Sequence, residues 1–343
     1  MSAPPPPLPA GFEFVRVLGS EDPPVVKARW LARRGEEVCL RVGKSRQTRA
    51  ELELLATVEH PGLARLLDCG TAPNGDPWVA REWIEGHTLA ELAASRTLDA
   101  RALAACAARL CPALEHLHRR GFVHGDLKAD NVVVTPSERV VLTDFGLARR
   151  ALEKAEAEHG VSGSLFAIAP EVLRGLVPDA RSDLFALGVL LHEILVPTRP
   201  DAREFYARFP RLPFLEAVGT AVESLPEWAR DVVCALLESD PAARPRSALS
   251  VGRSLAARLG LPAPFGDGDG TKRGGAGDLR AALHWPIRRG REEWFERWIE
   301  DTRARFLQTE RREGKSRALP PQTLVLEDGE DRDAFLEKLR RRA

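Results

Sequence analysis

Asp126, Lys128, Asn131 and Asp144 lie together in one stretch, FVHGDLKADNVVVTPSERVVLTDFGLAR (Phe122–Arg149). One extended loop can fold back so that Asp126 and Asn131 face the same cleft. Two β-rich runs follow, Val132–Val134 and Val140–Leu142, with a turn at Thr135–Glu138 between them. A hairpin of that length returns Asp144 to the side of Asn131. A hard divalent cation such as magnesium takes one or two carboxylate or amide oxygens together with phosphate oxygens. Asn131 and Asp144 can supply the protein's share. Asp126 is then left to accept the proton of an incoming hydroxyl, and Lys128 to neutralise charge on a transferred phosphoryl group. The set suits phosphoryl transfer from a magnesium nucleotide.

Positioning such a loop takes a framework, and the chain supplies one in two styles. From Phe12 to about Val79, β-type runs dominate, interrupted by a helical stretch over Gln47–Val58. From Leu89 onward the pattern is helical. Leu103–Arg119 reads as a long amphipathic helix, and Asp183–Leu195 is apolar all round, as a central buried helix should be. His116 and His118 fall on the first of these and are expected to be structural. The expected fold class is α+β, a small β-rich part followed by a mainly helical one.

At 343 residues, 44% of them hydrophobic, the chain can hold one large domain with an extension, or two domains. Its 50 basic and 50 acidic residues balance and are well mixed. That leaves no electrostatic footprint for nucleic acid or for an anionic membrane. Cys39, Cys69, Cys106, Cys111 and Cys234 show no C-x-x-C spacing and read as buried, reduced thiols. The longest apolar run, Leu184–Val196, is interrupted by His192 and Glu193 and is too short for a membrane span. The N-terminus lacks the basic-then-apolar order of a signal peptide. A cytoplasmic protein is expected.

The ends differ in character from the middle. Residues 1–10, with Pro4–Pro7 and Pro9, read as a disordered, proline-rich leader. Residues 261–280 are rich in Gly, Pro and Asp and read as a flexible linker. Beyond it, residues 281–343 read as a helical extension, with Trp294, Phe295, Trp298, Ile299, Phe306 and Leu307 at helical spacing and a shorter helix at Phe335–Leu339. That apolar stripe calls for packing, either on the large helical lobe or against a partner protein.

The central stretch resembles the catalytic loop of the protein kinases, H-x-D-L-K-x-x-N followed by D-F-G. Lys128, two residues after Asp126, is what the serine/threonine members carry. Ala169-Pro170-Glu171 resembles the end of that family's activation segment, and Gly163–Ala167, with Ser164, its substrate-docking loop. Asp183 resembles the buried aspartate that braces the catalytic loop, Arg244 the ion-pair partner of Glu171, and Glu51 the regulatory helix glutamate. Glu82–Gly86 resembles the hinge between two lobes, which places Arg81 where the back of the nucleotide pocket is limited. The resemblance runs from about Gly11 to Leu259. It implies a kinase domain over 11–260, with an N-lobe of 11–82 and a C-lobe of 83–260. It also implies ATP and Mg2+ as cofactors and a protein substrate offering a serine or threonine hydroxyl. Asp126, Lys128 and Asn131 would be catalytic, and Asn131 and Asp144 would hold the metal. Leu18, Gly19, Val26, Cys39, Arg41, Glu51, Glu82, Ile84 and Val133 would line the nucleotide pocket.

Three departures bear on activity. The nucleotide-covering loop, Leu18–Val26, keeps only Gly19 of three expected glycines, and its Pro23 and Pro24 have no amide donor. The phosphate-gripping lysine is replaced by Arg41, a change of shape as well as reach. Strand alternation puts Cys39 and Arg41 in the cleft, with Val26 over the adenine and Lys27 and Lys44 on the wrong parity to replace Arg41. Gly125 stands where many regulated kinases place an arginine that reads activation-segment phosphorylation. The alternatives are a pseudokinase regulator and, from His124-Gly125-Asp126, a small-molecule phosphotransferase. The latter usually carries a histidine where this chain has Lys128.

Overall fold

The computed structural model describes residues 8–18, 25–43, 45–72, 74–96, 98–151, 167–196, 205, 208–209, 212–220 and 222–262. All of them belong to one unit, Met1–Gly266. Gly19 and the rest of the covering loop to residue 24, Lys44, Ser162 and Ser164, the linker beyond Pro262 and the helical extension lie outside the described residues.

The β-rich part forms a five-stranded antiparallel sheet in the order β1-β2-β3-β5-β4. Its strands are β1 (Phe12–Leu18), β2 (Val25–Trp30), β3 (Glu36–Val42), β4 (Leu66–Thr71) and β5 (Pro77–Glu82). Helix α1 (Arg46–Thr57) sits between β3 and β4, and the Ser45 side chain accepts from Thr48 N to start it. One sheet face buries Val26, Ala28, Val38, Leu40, Val42 and Ala80. Phe12, Trp30 and Trp78 pack on that cluster, with Phe12 5.3 Å from each indole. Leu8 packs there too, and Pro9 is buried. Packing therefore begins inside the stretch expected to be a disordered leader, because Leu8 and Pro9 add apolar surface to an aromatic cluster that the leader's composition does not reveal.

The register corrects the expected parity of β2. Val25 pairs with Arg41, Val26 with Leu40, and Lys27 with Cys39. Residues directly opposite in an antiparallel pair share a face. Val25 and Lys27 therefore lie on the Arg41 face, while Val26 is buried on the other side with Leu40. The expectation that Val26 covers the adenine and that Lys27 points away is off by one residue. Two adjacent valines give no alternation from which to phase the strand, so only the pairing decides. Lys27 nonetheless cannot replace Arg41. Its Nζ lies 2.7 Å from Glu37 and 4.2 Å from the centre of the Trp83 ring.

The helical part follows a short crossing, β6 (His87–Thr88), which pairs with Val133 and Val134. Helix α2 (Leu89–Ser95) opens on a reciprocal cap between Thr88 and Glu91. Helix α3 (Ala100–Arg119) is capped by Asp99 and packs on the helices Ala180–Leu195 and Ala248–Leu259. The strands β7 (Phe122–Val123), β8 (Val132–Val134), β9 (Val140–Leu142) and β10 (Arg149–Arg150) frame the polar loop. Then come α4 (Pro170–Leu173), α5 (Ala180–Leu195), α6 (Phe214–Ala217), α7 (Glu227–Leu236) and α8 (Ala248–Leu259). Helix α5 is buried along nearly all its length, as its sequence requires. The architecture is two-lobed and α+β. No helix among the described residues is long and apolar enough to cross a membrane.

Candidate active site

The loop after β7 is anchored from below. Asp183, 2% exposed near the start of α5, accepts the backbone N–H groups of His124 (2.8 Å) and Gly125 (3.0 Å). His118 contributes Nε2 at 2.8 Å from the same carboxylate. Burial alone would raise the Asp183 pKa, but these hydrogen bonds and the neighbouring imidazoles outweigh it and hold the carboxyl below its ordinary range. Gly125 has φ 76, and a Cβ there would meet Leu147 O at 2.8 Å. The arginine of regulated kinases is thus excluded by the path of the chain itself, which favours glycine.

Above this anchor the four expected residues come together. Asp126 Oδ2 accepts Lys128 Nζ at 2.6 Å and Asn131 Nδ2 at 3.1 Å. Asn131 Nδ2 also donates to Asp126 O at 2.8 Å, so the amide nitrogen is committed to Asp126 and the amide oxygen is the metal-binding atom it can offer. Burial lowers the Lys128 pKa, but the bond to Asp126 and the charges of Asp126, Asp144 and Asp130 raise it further, so the ammonium is kept. The hairpin of β8 and β9 closes as its length requires. Thr143 N donates to Asn131 O at 2.8 Å, which brings the next residue, Asp144, beside Asn131. Asp144 takes φ 58, which turns its carboxylate toward the cleft, while Phe145 is fully buried against the His124 ring.

The sheet supplies the cations. Arg41, 1% exposed, donates Nε to Glu51 Oε2 at 2.7 Å and Nη2 to Asp144 Oδ1 at 3.1 Å. A side chain at Gly146 would meet Arg41 Nη2 at 2.9 Å, so the glycine makes room for the guanidinium. Leu18, Val25 and Arg41 form one row across the cleft face, and Lys27, Cys39 and Arg81 form the next. Val133 is half-buried on β8, and Ile84 is buried in the hinge. The Glu82 side chain is turned to Arg139 Nη2 at 2.7 Å and to Arg65 N at 3.1 Å. Whatever Glu82 offers a nucleotide must come from its main chain. Beside Asp126, a hollow is lined by Leu127, Arg149, Ile168, Ala169, Val172 and Pro178.

Two parts of this arrangement are absent from the sequence reading. Val25, not Val26, lies opposite Arg41. Arg81 Nε sits 2.7 Å from Glu51 Oε1, an ion pair between buried groups that the reading of Arg81 as a pocket limit did not include. The signal was the register of β5 against β3, which places Arg81 opposite Cys39.

Residues 32–252 match the model of the protein kinase domain. This chain belongs to the protein kinase family. A serine/threonine-protein kinase pkn2 of Myxococcus xanthus is 30% identical over 289 residues, covering 76% of this chain and 34% of that protein. A serine/threonine-protein kinase PknB of Mycolicibacterium smegmatis is 32% identical over 159 residues, covering 44% of this chain and 25% of that protein. This kinase chain thus spans between a quarter and about a third of the curated relatives it matches.

If Arg41 is the working cation of this kinase cleft, its charge and its forked shape should separate in a substitution series. Arg41→Met should weaken nucleotide binding about tenfold, the scale of one hydrogen bond to a charged group. Arg41→Lys should retain most of the affinity. Titration calorimetry with a magnesium nucleotide reads both. Equal affinity in the three proteins would place the phosphates elsewhere.

Proposed function

We propose that this chain is an ATP- and magnesium-dependent protein kinase that transfers the γ-phosphate to serine or threonine hydroxyls of protein substrates. The observation that carries the reading is the hydrogen-bonded set Asp126, Lys128 and Asn131 with Asp144 turned toward Arg41. Asp126 would accept the proton of the acceptor hydroxyl, and Lys128, held charged beside it, would face the phosphoryl group. Asn131 Oδ1 and the Asp144 carboxylate are hard oxygen donors, and two of them suit a cation that completes its shell with water and phosphate oxygens. Magnesium, when bound, would neutralise charge on the phosphates. The hollow beside Asp126, which Leu127, Ile168, Val172 and Pro178 help to line, would receive part of the acceptor segment. A cytoplasmic location belongs to the same proposal, and the five cysteines, none in a disulfide, are compatible with it.

One observation favours a second reading, a nucleotide-binding regulator without transfer activity: Arg41 Nη2 already donates to Asp144 Oδ1 at 3.1 Å, so the groups proposed for phosphate and metal engage each other. Purified protein incubated with labelled ATP, magnesium and casein separates the two, with label on casein expected. The metal assignment has its own test. Nucleotide affinity should rise with magnesium in the parent protein and stop doing so in Asp144→Ala. Affinity independent of magnesium in the parent would overturn it.

A further inference from the structure

Two guanidinium groups close on Glu51. Arg41, on β3, reaches Oε2 through Nε and sends Nη2 on to Asp144. Arg81, on β5, lies opposite Cys39 on the same face and reaches Oε1 through Nε, also at 2.7 Å. The Arg41 and Glu51 side chains are 1% exposed and that of Arg81 is 8% exposed. We propose that Arg81 is a positioning residue for Arg41: it neutralises the Glu51 oxygen that Arg41 does not reach, and so sets where Arg41 presents its charge to the nucleotide phosphates.

The need for a second cation follows from the shape of the first. An ammonium carries three donors at one point and can sit between both oxygens of a carboxylate, whereas an arginine engaged through Nε covers one and projects the rest of its fork beyond. Here that projection reaches Asp144. Without Arg81, Glu51 would bury one uncompensated oxygen, which is costly. Arg81 adds a second positive charge beside Glu51, in a cleft that must admit a polyphosphate. The contact at Oε1 is an ion pair rather than an aligned hydrogen bond, so charge is what Arg81 supplies. The effect on phosphates rests on the kinase reading above. The shared hold on Glu51 does not.

A double-mutant cycle on the full chain tests this, with Arg81→Met, Arg41→Lys and their combination. The probe is magnesium with the non-hydrolysable analogue AMP-PNP, read by calorimetry, beside melting curves without nucleotide. Residues that share a partner couple by a factor of a few to a hundred. Arg81→Met should weaken binding about tenfold in the parent background and less than about twofold beside Arg41→Lys. Its drop in melting temperature should shrink in the same way. Arg81→Lys, which keeps the charge, should stay close to the parent. Equal effects of Arg81→Met in both backgrounds, or an Arg81→Lys loss as large as that of Arg81→Met, would overturn the proposal. If Arg81→Met folds only in the Arg41→Lys background, the coupling is demonstrated, and failure in both backgrounds counts against it. A parent protein that binds no nucleotide would remove the kinase reading, while the melting curves would still decide the hold on Glu51.

Discussion

Asp126→Asn should lower phosphate transfer to a protein acceptor by about a thousandfold, within the range a positioned general base contributes. Asparagine keeps the size of the side chain and can still meet Asn131, but it can no longer take a proton. The loss of charge also releases Lys128, whose ammonium lies 2.6 Å from the carboxylate. Nucleotide affinity should change by less than about threefold, because the groups proposed to meet phosphate and metal are Arg41, Asn131 and Asp144 rather than Asp126. A split of this kind, with turnover lost and binding kept, distinguishes a catalytic base from a structural loop residue. Transfer that survives in Asp126→Asn, measured with labelled ATP and casein, would remove Asp126 from the chemistry. If the parent protein transfers nothing while it binds nucleotide, the regulator reading replaces the kinase.

What the sequence disclosed, and what it hid, divides along physical lines. The hairpin of Val132–Val134 and Val140–Leu142 was legible to the residue, because its short turn leaves little choice of closure. Thr135 N meets Arg139 O at 2.9 Å, as expected of such a turn. Helix starts were less legible. Apolar periodicity suggested Leu103 and Asp183, whereas the helices begin at Ala100 and Ala180. Periodicity reports only the buried face, and it is Asp99 and Asp179, as caps, that set the first turn. The phase of β2 was hidden for a related reason, since Val25 and Val26 are equally apolar. Arg41 was visible as a departure, but its consequence was not. Pairing it with Arg81 through Glu51 needs three elements in register, and no local pattern encodes that.

Arg244→Met should destabilise the helical lobe by about 3–5 kcal/mol at neutral pH, the range for removing one partner of a buried ion pair. Arg244 is 3% exposed and Glu171 5%. The guanidinium grips both carboxylate oxygens, Nη1 to Oε1 at 2.7 Å and Nη2 to Oε2 at 2.8 Å. It also donates Nε to Glu238 O and Nη1 to Arg181 O, each at 2.8 Å, and lies 5.0 Å from the centre of the Phe185 ring. Methionine replaces the stem and none of these bonds. Glu171 would then keep the Ser182 hydroxyl as its other side-chain donor, at 2.9 Å. The pH dependence gives the pair a second signature. Burial raises the Glu171 pKa, but Arg244 and Ser182 together hold it below its ordinary 4.5. A carboxyl with a depressed folded-state pKa contributes stability that is present above its unfolded value and lost as pH falls through the folded one. In Arg244→Met the hydrogen bonds from Ser182 and from the backbone remain but the guanidinium's share is gone, so the carboxyl is held down less than in the parent and the variant has less to lose on acidification. The gap between parent and variant should therefore be full at pH 7 and narrow on acidification below about pH 4.5. Urea midpoints across that range read both terms, with Arg244→Lys expected between the two because it keeps the charge and loses the fork. A midpoint at pH 7 unchanged by Arg244→Met, or a gap that stays constant as the pH falls, would show that the ion pair between Glu171 and Arg244 does not hold this lobe together.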